Sequence, residues 1–195
     1  MAGSDTAAPL LASVRACRLC EATLPHGPRP VLQFSPSARI LVAGQAPGRK
    51  VHDSGVPFDD ASGDRLREWM GIGREIFYDS AKVAILPMGF CYPGTGKSGD
   101  LPPRPECAPA WRTQLMAMLP DIRLTLVIGT YARDWHMAHL KGKALTDAVR
   151  DPANGADGTF LLPHPSPRNN IWLKKNPWFE GKVLPQLRDS VERAL

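Results

Sequence analysis

The chain has 195 residues, 43% of them hydrophobic and 22% charged, with a formal net charge of +5. These values suit one folded domain over residues 1–195 with a single core and argue against intrinsic disorder. No apolar run reaches the roughly 18 residues that span a bilayer, and the opening Met-Ala-Gly-Ser-Asp lacks the basic and apolar regions of a secretory leader, so a cytoplasmic protein with no membrane contact is expected. The basic excess is compatible with a nucleic-acid partner without requiring one.

In chain order, residues 9–16 predict a short helix that runs into Cys17-x2-Cys20, followed by a Pro-rich loop over 21–38. Arg39-Ile-Leu-Val-Ala43 is a short apolar run suited to a buried strand, and it ends at Gly44. Residues 62–72 place Leu66, Trp69, Met70 and Ile72 at helical spacing, with Asp60 or Ser62 as the N-cap. Lys82–Leu86 is a second strand, feeding a Gly- and Pro-rich loop from Pro87 to Pro109 that holds Cys91 and Cys107. A helix over 109–119, a strand over Leu124–Ile128, a helix opened by Gly129-Thr130 and a strand over Thr159–Leu162 follow. Residues 177–194 predict a closing amphipathic helix around Phe179, Val183, Leu184, Leu187 and Val191. Apolar strands alternating with helices specify an α/β fold, a three-layer α/β/α arrangement around a mostly parallel four-stranded sheet.

Ligands of such sheets bind outside the carboxyl ends of the strands, and the three least ordinary segments of the chain fall there. Gly44-Gln-Ala-Pro-Gly48, followed by Gly55-Val-Pro-Phe58, is either an ordinary strand-to-helix turn with a core Phe or a set of backbone N–H groups offered to a polar ring edge. It contains neither a dinucleotide nor a triphosphate loop signature. In Leu162-Pro-His164-Pro-Ser-Pro-Arg168, two prolines fix the backbone on either side of a histidine, which is then either structural or a placed acid, base or donor. The four cysteines, a C-x2-C and a C-x15-C pair with none left over, suit a tetrahedral zinc site or a cubane iron–sulfur cluster, and the long second gap fits the larger cluster better.

Taken in this order, the segments resemble the uracil-DNA glycosylase superfamily, and the cysteines are placed as in its iron–sulfur branches. The resemblance implies an enzyme of DNA repair, acting as a monomer on uracil-containing DNA, that flips the base out of the helix and hydrolyses its N-glycosidic bond. It implies that Phe58 stacks on the base, that the backbone of Gly44, Gln45 and Ala46 meets a ring carbonyl, and that His164 donates to O2 as charge develops. Gln45 or Asp53 would orient the attacking water. Ser166, Pro167, Arg168 and Lys174 would contact DNA. Cys17, Cys20, Cys91 and Cys107 would hold a [4Fe-4S] cluster, with zinc as the alternative, in a structural role.

The departures from the family pattern are specific. Ala46 stands where some branches carry a water-positioning Asp or Asn, Gln45 where cluster-bearing members often have Glu, and Arg168 where a wedging Leu is usual. Pro87 stands where many members have an Asn that reads the uracil edge, which leaves recognition to other groups such as the backbone of Pro87–Gly89. Two further readings follow: a non-catalytic binder of damaged DNA on the same fold, or a glycosylase for another deaminated base such as hypoxanthine.

Overall fold

The computed structural model describes residues 4–97 and 99–195. In chain order the elements are α1 (Ser4–Arg15), β1 (Ile40–Ala43), α2 (Arg49–Ser54), α3 (Ala61–Met70), α4 (Arg74–Phe77), β2 (Val83–Ile85), β3 (Thr95–Gly96), β4 (Gly99–Asp100), α5 (Cys107–Ala117), β5 (Leu124–Ile128), α6 (Gly129–His136), α7 (Leu145–Arg150), β6 (Thr159–Leu162), α8 (Asn170–Lys175) and α9 (Leu184–Ala194).

The central sheet has the order β2-β1-β5-β6 and every pairing in it is parallel. Its strands are almost wholly buried, as a parallel sheet covered on both faces requires. Alternation along the strands divides the core between two faces. Ile40, Val42, Val83 and Ile85 pack with Leu66, Trp69 and Met70 of α3 and Leu187 and Val191 of α9. Leu41, Ala84 and Leu86 pack with Val14 of α1 and Leu115 of α5. This is the three-layer α/β/α fold that the strand–helix alternation specifies. The β2 edge is covered by the loop before β1: Gln33 exchanges backbone hydrogen bonds with Ile85, and its side-chain amide donates to the carbonyls of Phe77 and Val83 at 2.9 and 2.7 Å. Chain from outside the sheet thus closes an otherwise open row of peptide groups.

Two elements differ from expectation. Between Gly44 and Asp60, where no helix range is expected from the sequence, the chain forms α2, closed by Gly55 in a left-handed C-cap. The closing helix is not continuous from 177: Phe179–Val183 makes a wide π turn before α9. Pro185 has no N–H to donate back into that turn, so the regular ladder cannot run through it. No helix among the described residues is long and apolar enough to cross a membrane.

Candidate active site and cysteine centre

Because the strands are parallel, their carboxyl ends share one edge of the sheet, and the chain leaving β1, β2 and β6 converges there. Gly44, Gln45, Ala46 and Gly48 after β1, Pro87 after β2, and His164, Ser166, Arg168 and Asn169 after β6 line one cavity of about 480 Å3. Phe58, Asp60 and Asp100 complete the wall, with Arg49 and Lys50 also on it. The volume falls in the range of small-molecule pockets and accommodates a nucleobase with its sugar.

His164 is half-buried, and burial holds its imidazole below the usual histidine range, against the opposite pull of Asp60 and Asp100. Ser166 donates its backbone N–H to Nδ1 at 3.2 Å. An Nδ1 that accepts leaves the proton of the neutral ring on Nε2, so the side chain presents a fixed neutral donor. The backbone is locked in turn: Asn169 Nδ2 donates to the His164 carbonyl at 2.7 Å, and the Ser166 hydroxyl accepts from Arg168 N.

Phe58 is the one residue other than glycine with a positive φ among those described, at 55°. Its carbonyl accepts from the Tyr78 hydroxyl at 3.2 Å and Arg67 Nη1 at 3.4 Å, and Gly63 of α3 packs so close that a Cβ there would lie 1.7 Å from the Phe58 oxygen. These contacts over-determine a sparsely populated backbone conformation, and they set the ring against Gly44, where a Cβ would lie 3.5 Å from its tip. Gln45 N and Ala46 N have no hydrogen-bond partner among the described residues, and both residues line the cavity.

Other expected site residues lie elsewhere. Asp53 is not part of the cavity wall: it sits exposed on α2, where its carboxylate accepts from Arg49 Nε at 3.1 Å. Its placement one helical turn from Arg49 explains the ion pair and removes it from any reacting atom. Pro167 and Lys174 are exposed and stand outside the wall. The backbone of Pro87–Gly89 has no N–H to offer a base. Proline has none, Met88 N donates to Gly44 O at 2.8 Å, and Gly89 N donates to Gln45 O at 3.0 Å. The carbonyls of Leu86 and Pro87 both accept from Arg112.

The structure also brings in groups that sequence reasoning passed over. Asp60 caps α3, its Oδ1 accepting from Ser62 N and Gly63 N at 2.9 Å, yet it also faces His164 across the cavity. The helix-cap signal accounted for it and hid the second placement. Asp100 arrives on the β3–β4 hairpin, which has no sequence pattern long enough to detect. Asn169 and Gln45 each anchor their amide NH2 on a carbonyl, of His164 and Leu101 respectively, which leaves the amide oxygen as acceptor.

Cys17, Cys20, Cys91 and Cys107 border a second, small cavity together with Phe90 and Trp111, and none is in a disulfide. Two sulfurs receive N–H donors: Cys17 from Trp111 Nε1 at 3.2 Å and Cys107 from Phe90 N at 3.3 Å. Burial pushes the free thiols of Cys91 and Cys107 up to about 11 and about 12. Donors aimed at sulfur and a buried, mutually repelling thiol set fit thiolates whose charge is offset by bound metal. Among the described residues no three His, Cys, Asp or Glu side chains are arranged around a single ion position.

A sequence model of the uracil DNA glycosylase superfamily matches residues 32–188. The match takes in the cavity-wall segments after β1, β2 and β6 and the second cysteine pair, while Cys17, Cys20 and the wall residue Val31 precede it. Its fold and the order of its strand-end segments agree with that match, and the chain belongs to the uracil DNA glycosylase superfamily, whose members are DNA glycosylases.

Proposed function

We propose that this protein excises uracil from DNA by hydrolysing the bond between uracil N1 and the deoxyribose C1′. What carries the reading is the single cavity in which the chain ends of β1, β2 and β6 set a neutral His164 donor, the Phe58 ring and the open N–H groups of Gln45 and Ala46 around one base-sized space. The target bond is inaccessible in a duplex, so the nucleotide is extruded into the cavity. Phe58 stacks on the base, and the amide oxygens of Gln45 and Asn169 are acceptors for its N3–H.

As the C1′–N1 bond breaks, its electron pair moves to the base and positive charge develops on the sugar. The His164 Nε2–H donates to uracil O2 and is worth most when that oxygen carries charge. Asp60 keeps Oδ2 outside its helix-cap bonds, and with Asp100 it holds negative charge on the wall, where it orients water toward C1′ and stabilises the sugar cation. The water oxygen adds to C1′, its proton leaves to the carboxylate or solvent, and the base takes a proton to depart as free uracil. Arg49, Lys50 and Arg168 on the wall are the cations placed for the phosphates flanking the flipped nucleotide.

The four cysteines would hold a [4Fe-4S] cluster, with zinc as the alternative, because all four border one cavity and none is in a disulfide. When bound it supplies a rigid cross-link and no open coordination position. A second substrate deserves a place in the test, because Pro87 and the engaged N–H groups of Met88 and Gly89 remove the usual polar reader at the end of β2. Duplexes carrying uracil, hypoxanthine, xanthine or thymine are incubated with the protein and the released base is identified. Free uracil with an abasic site is the expected product. Release of hypoxanthine alone reassigns the substrate, and tight binding without release makes the protein a binder.

A further inference from the structure

Arg112 of α5 is completely buried and makes no salt bridge among the described residues. Nη1 donates to the carbonyls of Leu86 at 2.6 Å and Pro87 at 3.2 Å, Nη2 meets His136 Nε2 at 2.5 Å, and Nε has no partner. A buried cation without a carboxylate is costly to a fold and is rarely kept for stability alone. Here it stays charged at neutral pH, since burial lowers it only to about 10, and its imidazole neighbour stays neutral, lowered to about 4 by burial and by Arg112 itself.

The position of this charge relates it to the reaction. Pro87 lines the cavity, and the guanidinium is bonded to the Pro87 carbonyl from the interior side. We propose that Arg112 is a positioning residue of the active site with two effects on the departing base. It draws the Leu86 and Pro87 carbonyl oxygens inward, and it supplies a fixed positive potential behind the pocket that stabilises the negative charge on the leaving base. A unit charge held just behind the pocket wall, in a medium of effective dielectric about 20, changes such a rate by roughly tenfold. The inference rests on the base-release reaction proposed above, and not on contact with the base.

The test compares uracil with 5-fluorouracil in the same duplex under single-turnover conditions. Fluorine makes the leaving base a better anion, so its departure depends less on outside charge. In Arg112→Met, uracil release is expected to fall about tenfold or more, while 5-fluorouracil release falls by a clearly smaller factor. Arg112→Lys, which keeps the charge and loses the fork, is expected to retain the wild-type ratio of the two rates. A purely structural role would lower both rates together, so equal losses in Arg112→Met, or no loss, overturn the inference. Should Arg112→Met fail to fold, Arg112→Gln carries the same comparison. An active wild type with an unchanged ratio sinks the role of Arg112 alone, whereas a wild type that releases neither base sinks the proposed reaction and this inference with it.

Discussion

At the scale of single residues, the cavity is built from side chains with few alternatives. His164 is bracketed by Pro163 and Pro165, and its Nδ1 is committed to Ser166 N, so Nε2–H is the donor its neutral ring has left to offer. His164→Ala is expected to lower single-turnover uracil release about 100-fold or more, as loss of one donor to a developing oxyanion does, with the melting temperature little changed; full rate in a folded variant would remove His164 from the mechanism. Phe58 depends on a glycine five residues away. Gly63→Ala drives a methyl into the Phe58 carbonyl, so it should destabilise the protein by about 1–3 kcal/mol and impair base release together. Gly181→Ala, where a Cβ meets nothing within 4 Å, is the control and should be neutral or stabilising. His164, Phe58 and the Gly44–Gly48 turn were legible in the sequence because each lies in a contiguous motif whose Pro and Gly residues restrict the backbone. Asp60 was not, since a capping role already explained it. Asp53 was misplaced because a turn of helix, invisible in a Gly- and Pro-rich segment, faces it to solvent.

At the scale of elements, the sheet and its covering helices follow from apolar runs and helical spacing, and both were readable. What the pattern could not show is that a helix carries a long polar side chain through its buried face. Arg112 lies within the expected helix over 109–119, but periodicity marks which face is apolar and says nothing of a guanidinium reaching a neighbouring strand. That contact joins α5, the end of β2 and α6 through Arg112, Leu86 and His136, and it makes a pH prediction. Folding holds His136 neutral down to about 4, whereas an unfolded histidine takes its proton near 6.5, so the unfolded state binds more protons between those values. Stability therefore falls as pH is lowered from about 6.5 to about 4, by about 3 kcal/mol in total from this group, and is unaffected by it above that window. Burial of His164 acts in the same direction. His136→Gln keeps an acceptor for Arg112 and should flatten most of this acid limb in urea titrations at stepped pH; an unchanged limb would mean that His136 is not held neutral by the fold.

For the molecule as a whole, in the proposed reading, the two cavities divide the work between a site made by strand ends and a brace made by cysteines. The walls of the first come from Val31, Ile85, Pro87 and segments within 44–62, 99–100 and 164–169, none of which supplies a cysteine. The second ties the end of α1, the loop before β1, the segment after β2 and the start of α5. Sequence spacing suggested that the four cysteines belong together; it could not show that the N–H groups of Trp111 and Phe90 point at two of their sulfurs, because those donors come from separate segments. A cross-link outside the reacting groups should support geometry and leave the chemistry to others. Protein isolated anaerobically is expected to carry iron and sulfide with absorbance near 400 nm, and stoichiometric zinc in colourless protein would identify the other metal. Cys17→Ser should lose the centre, lower the melting temperature, and open the segment from Cys17 to Pro30 to proteolysis while the sheet stays protected, since burying a metal site contributes folding free energy directly. Uracil release should then persist at a reduced rate, with His164→Ala costing as large a factor in this background as in the wild type. Complete loss of release in folded, metal-free Cys17→Ser protein would place the centre within the reaction itself and end the division between brace and site.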